Sequence, residues 1–247
     1  MPRVGPWKDL LRMDQGIHRL LIEMAAEVHE APEKAVRHIA EYARTAVDGE
    51  DSGIMLLKAK GRIDTLGETS EGVARAHRLQ AELDEGPCLD AIRTDTSVFL
   101  VEDVATDERW PRWGPEAMKV GYRSSISARM ESRGRSYGSL NVYDTRRAAF
   151  TRADLDVLEL LASQAAVAYA NAVTHLNMQV ALDSRTVIGQ AQGVLMQAYD
   201  LDAETSFAYL RRRSQAENVR LVEVAQDVLR TRATTGHPRD AAEALDG

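Results

Sequence analysis

Between Arg152 and Ile188 the chain carries neither proline nor glycine, and the first interruption is Gly189. A run of that length, rich in Ala and Leu and free of breakers, has one stable local solution, a long helix. Its start is marked. Thr151 stands at the N-cap, Asp154 three residues on completes a capping-box variant, and Phe150 and Leu155 take the two staple positions. Unbroken from 152 to 198, such a helix would span roughly 70 Å at about 1.5 Å per residue. Ala162, Ala166, Tyr169, Val173, Leu176 and Val180 recur at spacings of 4, 3, 4, 3 and 4, and Leu155 and Leu158 extend the stripe with one stutter. The periodicity predicts a coiled-coil connector over 152–182. Its dimer seam would be Leu158, Ala162, Ala166, Tyr169, Val173, Leu176 and Val180, giving a homodimer. The alternative is that the alanine-rich stripe packs on a sheet of its own chain.

Before this helix, residues 14–172 (which include its first turns) read as a mixed α+β domain. Ile17, Leu20, Leu21, Met24 and Val28 share one helical face, and Val36, Ile39, Ala40, Ala43 and Val47 another behind Pro32. Gly53–Leu57 is a buried-strand pattern, with a short partner at Ile63–Leu66. Helix follows over 70–94, broken at Gly86-Pro87. Val98–Val101 is a strand, and Tyr122–Met130 and Tyr137–Tyr143 form a hairpin across a polar turn. The architecture expected is an antiparallel sheet flanked by entry and exit helices.

Beyond the connector, residues 176–232 read as three helices. Asp202 caps the second, with Phe207 and Leu210 expected to face inward, and Asn218 suits both the end of that helix and the cap of the next. Leu221, Val224, Ala225, Val228 and Leu229 form one face of the third, and Gly193 is read as allowing close helix approach. The segment 233–247 is expected to be a disordered tail.

The opening helix-helix-strand-strand order, Glu85-Gly-Pro-Cys-Leu-Asp-Ala91 and Asp107-Glu-Arg-Trp-Pro-Arg-Trp113 resemble a GAF domain, a small-ligand sensor fold. The fold names no ligand. Cys88 reads either as a reactive or attachment thiol or as a small buried residue after the Gly-Pro turn, and the second is the expectation. A single cysteine argues against methionine sulfoxide reduction, which needs a resolving partner, and the cyclic-nucleotide signature is absent. Trp110 and Trp113 either line a pocket, with Cys88, or pack a long loop.

Ala181–Met196, then Ser206-Phe207, Leu210-Arg211-Arg212, Ser214, Asn218, Leu221 and Val224-Ala225, resemble the ANTAR family of RNA-binding antitermination regulators. The resemblance implies a target of two adjacent short hairpins in a nascent transcript, one loop held by each protein copy. Recognition of unpaired bases needs polar groups for base edges, cations for phosphates and aromatic platforms. The candidate RNA-binding residues are Arg185, Gln192, Arg211, Arg212, Arg213, Ser214, Asn218 and Arg220. The family usually has Lys where this chain has Gln192. The simple alternative for the arginines is a solvated face with pairs such as Arg213–Glu217, and Tyr209 reads either as a stacking group or as packing.

Net charge is −7, which argues against binding driven by many phosphate contacts but leaves loop recognition open. The rival reading is a GAF-sensor transcription factor on duplex DNA, against which stands the lack of a basic recognition helix. No paired-carboxylate, nucleophile–base or phosphate-loop signature points to an enzyme. No metal-ligand spacing stands out among the histidines, and no cofactor is expected. No apolar run approaches a membrane span and the start lacks a secretory pattern, so a cytoplasmic protein is expected, with an unidentified small molecule or partner at the sensor.

Overall fold

The computed structural model describes residues 32–235, with side chains from 37 to 231. The helix expected over 17–28 and the tail beyond 235 lie outside the described residues. The chain divides between Thr174 and His175 into two compact units.

The first unit is built on five strands: β1 (Asp51–Leu57), β2 (Ile63–Leu66), β3 (Val98–Val101), β4 (Ser124–Ser132) and β5 (Arg135–Asp144). They lie in the order β2-β1-β5-β4-β3, every neighbouring pair antiparallel. In the β4–β5 hairpin Ile126 faces Val142 and Ser127 faces Asn141. Period-two alternation therefore gives the sheet two unlike faces. One carries Ile126, Ala128, Met130, Leu140 and Val142, and the other Ser125, Ser127, Ser139, Asn141 and Tyr143, all buried. Gly138 sits where β5 crosses closest to β1. Its φ is +154°, and a Cβ there would fall 2.0 Å from the Met55 carbonyl oxygen.

The apolar face is covered by α1 (Pro32–Ala46), through Ile39, Ala40 and Ala43, and by the start of α5 (Arg152–Tyr199). Here the structure corrects the seam expected from the heptad pattern. Leu158, Ala162, Ala166 and Tyr169 are buried in the core of their own domain, and Val173 packs against it half-buried. Small Ala side chains let the helix lie close to the sheet, and burial within one chain avoids the entropic cost of association. The start of α5 is capped as its sequence requires: Thr151 N–H donates to Asp154 Oδ2 at 2.7 Å, Asp154 N–H to Thr151 Oγ1 at 3.3 Å, and Phe150 and Leu155 are buried.

The polar face is covered by α2 (Glu71–Leu83), α3 (Pro87–Arg93) and α4 (Trp113–Val120). Helix α4 stands where a long loop is expected from the sequence. Trp113, Ala117 and Val120 have i, i+4, i+7 spacing ahead of Gly121, which ends the helix at φ +116°.

In the second unit, the last turns of α5 pack with α6 (Ala203–Glu217) and α7 (Leu221–Thr235). The core is small: Ala191, Leu195, Leu210, Val224 and Ala225, flanked by half-buried Val187, Ile188, Tyr199, Tyr209, Leu221, Val228 and Leu229. Asp202 Oδ1 accepts from Thr205 N–H at 2.7 Å at the start of α6. Asn218, at φ 54°, ends α6 but does not cap α7, where Arg220 precedes the first residue and Glu223 Oε2 accepts from its N–H at 3.3 Å. Phe207 does not face inward. It lies about 60° round the helix from Leu210 and is 39% exposed. Nor does Gly193 serve a close helix contact, because a Cβ there, or at Gly189, meets nothing within 4 Å.

Candidate functional site

From residue 175 to 231 the sequence holds six arginines and no lysine, against seven carboxylates. Their pairing decides which cations remain for a ligand. Arg213 donates to Glu217 and to Asp227, both at 2.6 Å, so it ties α6 to α7 and has its charge matched internally. Its guanidinium is held in the charged form by those carboxylates, first of all by the hydrogen bond to Glu217. Arg220 pairs with Glu223 at 2.5 Å and Arg230 with Asp227 at 3.6 Å. Arg185, Arg211 and Arg212 are exposed and have no ion pair among the described residues.

The neutral candidates are partly spent as well. Ser214 Oγ donates to the Val219 carbonyl at 2.6 Å and Asn218 forms the left-handed end of α6, so both shape the α6–α7 turn. Gln192 Nε2 donates to the Ala203 carbonyl at 3.0 Å, which fixes the side chain at the start of α6 and leaves its Oε1 as an acceptor. Tyr209 packs against the module core. Arg185, Gly189, Gln192, Gly193 and Met196 fall on one side of α5 by helical spacing. Phe207 is the aromatic that sequence reasoning misplaced. Its signal was available in its position one turn before Arg211, at the edge of the α6 apolar stripe.

In the first unit, the three pocket candidates are buried. Cys88 is fully buried on α3, with Sγ 2.9 Å from Tyr143 Oη and 3.4 Å from Ser127 Oγ, and Gln80 Nε2 donates to it at 3.0 Å. Burial pushes the thiol pKa up, away from the reactive thiolate. Trp110 donates to Asp90 Oδ2 at 2.8 Å and meets Trp113 edge-on, ring centroids 6.3 Å apart. Glu85 Oε1 accepts from the N–H groups of Arg112 and Trp113 at 2.6 and 2.9 Å, and so caps α4. The two motifs, Glu85–Ala91 and Asp107–Trp113, therefore interlock. A shallow groove of about 470 Å³ lies elsewhere, lined by Leu100, Glu102, Asp103, Thr106 and residues 107–109.

The polar sheet face also carries buried polar groups outside these motifs. His77 Nε2 lies 3.4 Å from Asn141 Nδ2, and that amide also donates to the Gly53 and Ser139 carbonyls. Burial lowers the His77 pKa to about 3, so the ring is neutral. His77 Nδ1, Ser125 Oγ, Ser139 Oγ and Asn141 Oδ1 are buried without a hydrogen-bond partner.

The GAF domain model matches residues 29–170 and the ANTAR domain model residues 176–229. The chain belongs to the GAF family and carries an ANTAR domain. Its boundary between domains coincides with the division of the structure at Thr174–His175. No curated protein matches it. Among solved structures it is similar to the phytochrome photosensory core module of Stigmatella aurantiaca, with 9% identity over 85% of this chain and 45% of that one, at a TM-score of 0.59. It is also similar to a GAF3 domain from Synechocystis in its photoproduct state, with 13% identity, 60% and 99% coverage and a TM-score of 0.50. The free methionine-R-sulfoxide reductase of Neisseria meningitidis matches at 17% identity, 63% and 89% coverage and a TM-score of 0.45. The first two likenesses are of fold. The GAF–ANTAR pairing makes the chain a regulator that joins a sensor domain to an RNA-binding antitermination domain, neither family being catalytic. No helix of the described residues is long and apolar enough to cross a membrane.

Proposed function

We propose that this GAF–ANTAR protein controls transcription by holding paired hairpins of a nascent transcript, one loop in each ANTAR domain of a homodimer. The observation that carries this reading is a set of three exposed arginines, Arg185, Arg211 and Arg212, with no ion pair among the described residues, together with a Gln192 side chain whose Oε1 is left as an acceptor. Few cations with hydrogen-bonding and aromatic neighbours suit unpaired loops, whereas duplex DNA calls for a basic recognition helix. With six arginines against seven carboxylates, the domain lacks one. Dimerisation would use α5 beyond the GAF core, where Leu176 and Val180, the end of the heptad stripe, are 52% and 55% exposed, with Met178 and Leu182 beside them. The helix has no Asp, Glu, Lys or Arg from Leu160 to Leu182, in a chain of which 28% is charged.

The sensor input is proposed to be a small molecule or partner taken up by the GAF domain. The deciding experiment is crosslinking in the native cell followed by sequencing of the bound RNA. Paired hairpins ahead of terminators support the reading, and recovery of duplex DNA in their place overturns it.

A further inference from the structure

We infer that Phe207 is a stacking platform for one unpaired base of the bound RNA loop, with Arg211 holding the adjoining phosphate; this rests on the RNA-binding reading above. Phe207 is an aromatic side chain that stays 39% exposed on a helix whose module has a small core, so its ring is open to a ligand. Phe207 belongs to neither the ANTAR core nor any ring contact or cation–π pair of the described residues. It is not isolated from chemistry, however. Arg211 follows it by four residues, which places the two on neighbouring turns of one face. Ala203 precedes it by four, and the Ala203 carbonyl is where the Gln192 amide is anchored, at 3.0 Å.

A line therefore runs along one edge of α6: a fixed amide with a spare acceptor, an apolar ring, then an unpaired guanidinium. Those three groups match the three parts of a splayed nucleotide, namely a base edge, a base face and a phosphate. Arg212 lies about 140° from Phe207 round the helix, so it serves a different part of the RNA. A protein partner for the ring is less suited, because an apolar protein patch would leave Arg211 desolvated beside it without a carboxylate.

The test uses the full chain and hairpin RNAs with randomised loops, enriched on the wild-type protein, then resynthesised with 2-aminopurine or an abasic site at each loop position in turn. One loop position is expected to show a fluorescence change on binding that Phe207→Leu abolishes and Phe207→Trp retains. At that position the abasic site should weaken wild-type binding by about tenfold, within the range of one base–aromatic stack, and leave Phe207→Leu binding unchanged. Leu keeps the apolar bulk, and circular dichroism checks that the fold is intact. Failure to enrich any hairpin would refute the RNA-binding reading itself. Enrichment of hairpins to which Phe207→Leu binds with wild-type affinity and fluorescence would overturn the stacking role alone. So would a change of oligomeric state in Phe207→Leu, which would make the ring a protein contact.

Discussion

His77 offers the sharpest physical test of the GAF core. The ring is fully buried, and protonation would turn Nε2 into a donor facing the Asn141 amide. That amide is held as a donor by the Gly53 and Ser139 carbonyls at 3.3 and 3.1 Å, so it cannot turn to accept without losing both. Burial lowers the folded-state pKa to about 3, whereas the unfolded chain takes up a proton near the ordinary value of about 6.5. The sign follows. Below about 6.5 the unfolded state binds a proton that the folded state refuses, so stability is complete above that pH and falls as pH drops toward the folded pKa. Between about pH 7.5 and about pH 5.5 the loss from this one group is about 1.4 kcal/mol. That window stays above most carboxylate titrations. The assay is urea unfolding followed by tryptophan fluorescence, since Trp110 and Trp113 are buried in this unit, for wild type and for His77→Gln at both pH values. The wild type should lose about 1.4 kcal/mol more than the variant on going to the lower pH. Equal losses, or a larger one in the variant, would show that His77 does not enter the fold neutral.

In RNA binding, three unpaired arginines predict a slope of log affinity against log salt of about −2, and Arg211→Ala or Arg212→Ala should each flatten it by about 0.7. Arg213→Ala should leave the slope unchanged and cost about 1 kcal/mol of stability through its lost ties to Glu217 and Asp227. Native Cys88 should resist alkylation, and Cys88→Ser should leave regulation intact; an oxidant response in cells that vanishes in Cys88→Ser would contradict this. Leu176→Glu combined with Val180→Glu should convert a dimer to monomer in sedimentation at micromolar concentration while the GAF domain stays folded, whereas a wild type already monomeric with RNA bound would remove the dimer from the mechanism.

Local rules were legible in the sequence because they are written in neighbouring residues. The Thr151–Asp154 cap, the Asp202 cap, the left-handed Asn218 and the β4–β5 hairpin all follow from side chains within a few positions of each other. The family resemblance, too, lay in contiguous motifs. Partnership was not legible, because a periodic stripe states that a face is apolar and not what covers it. Leu158 through Tyr169 satisfy a heptad seam and a helix-on-sheet contact equally, and only the fold assigned them to the sheet, leaving Leu176 and Val180 exposed. The arginine run shows the same limit. Three consecutive guanidiniums look alike in sequence, but successive residues of a helix point about 100° apart, which turns Arg213 onto Asp227 of α7 and leaves Arg211 and Arg212 in solvent. Most of the elements, the caps of α5 and α6 and the two families are written in neighbouring residues, whereas α4 and the start of α7 are not. Tertiary packing decided which apolar faces and which charges remained for anything outside the chain, because burial and ion pairing are settled between residues that are distant in sequence.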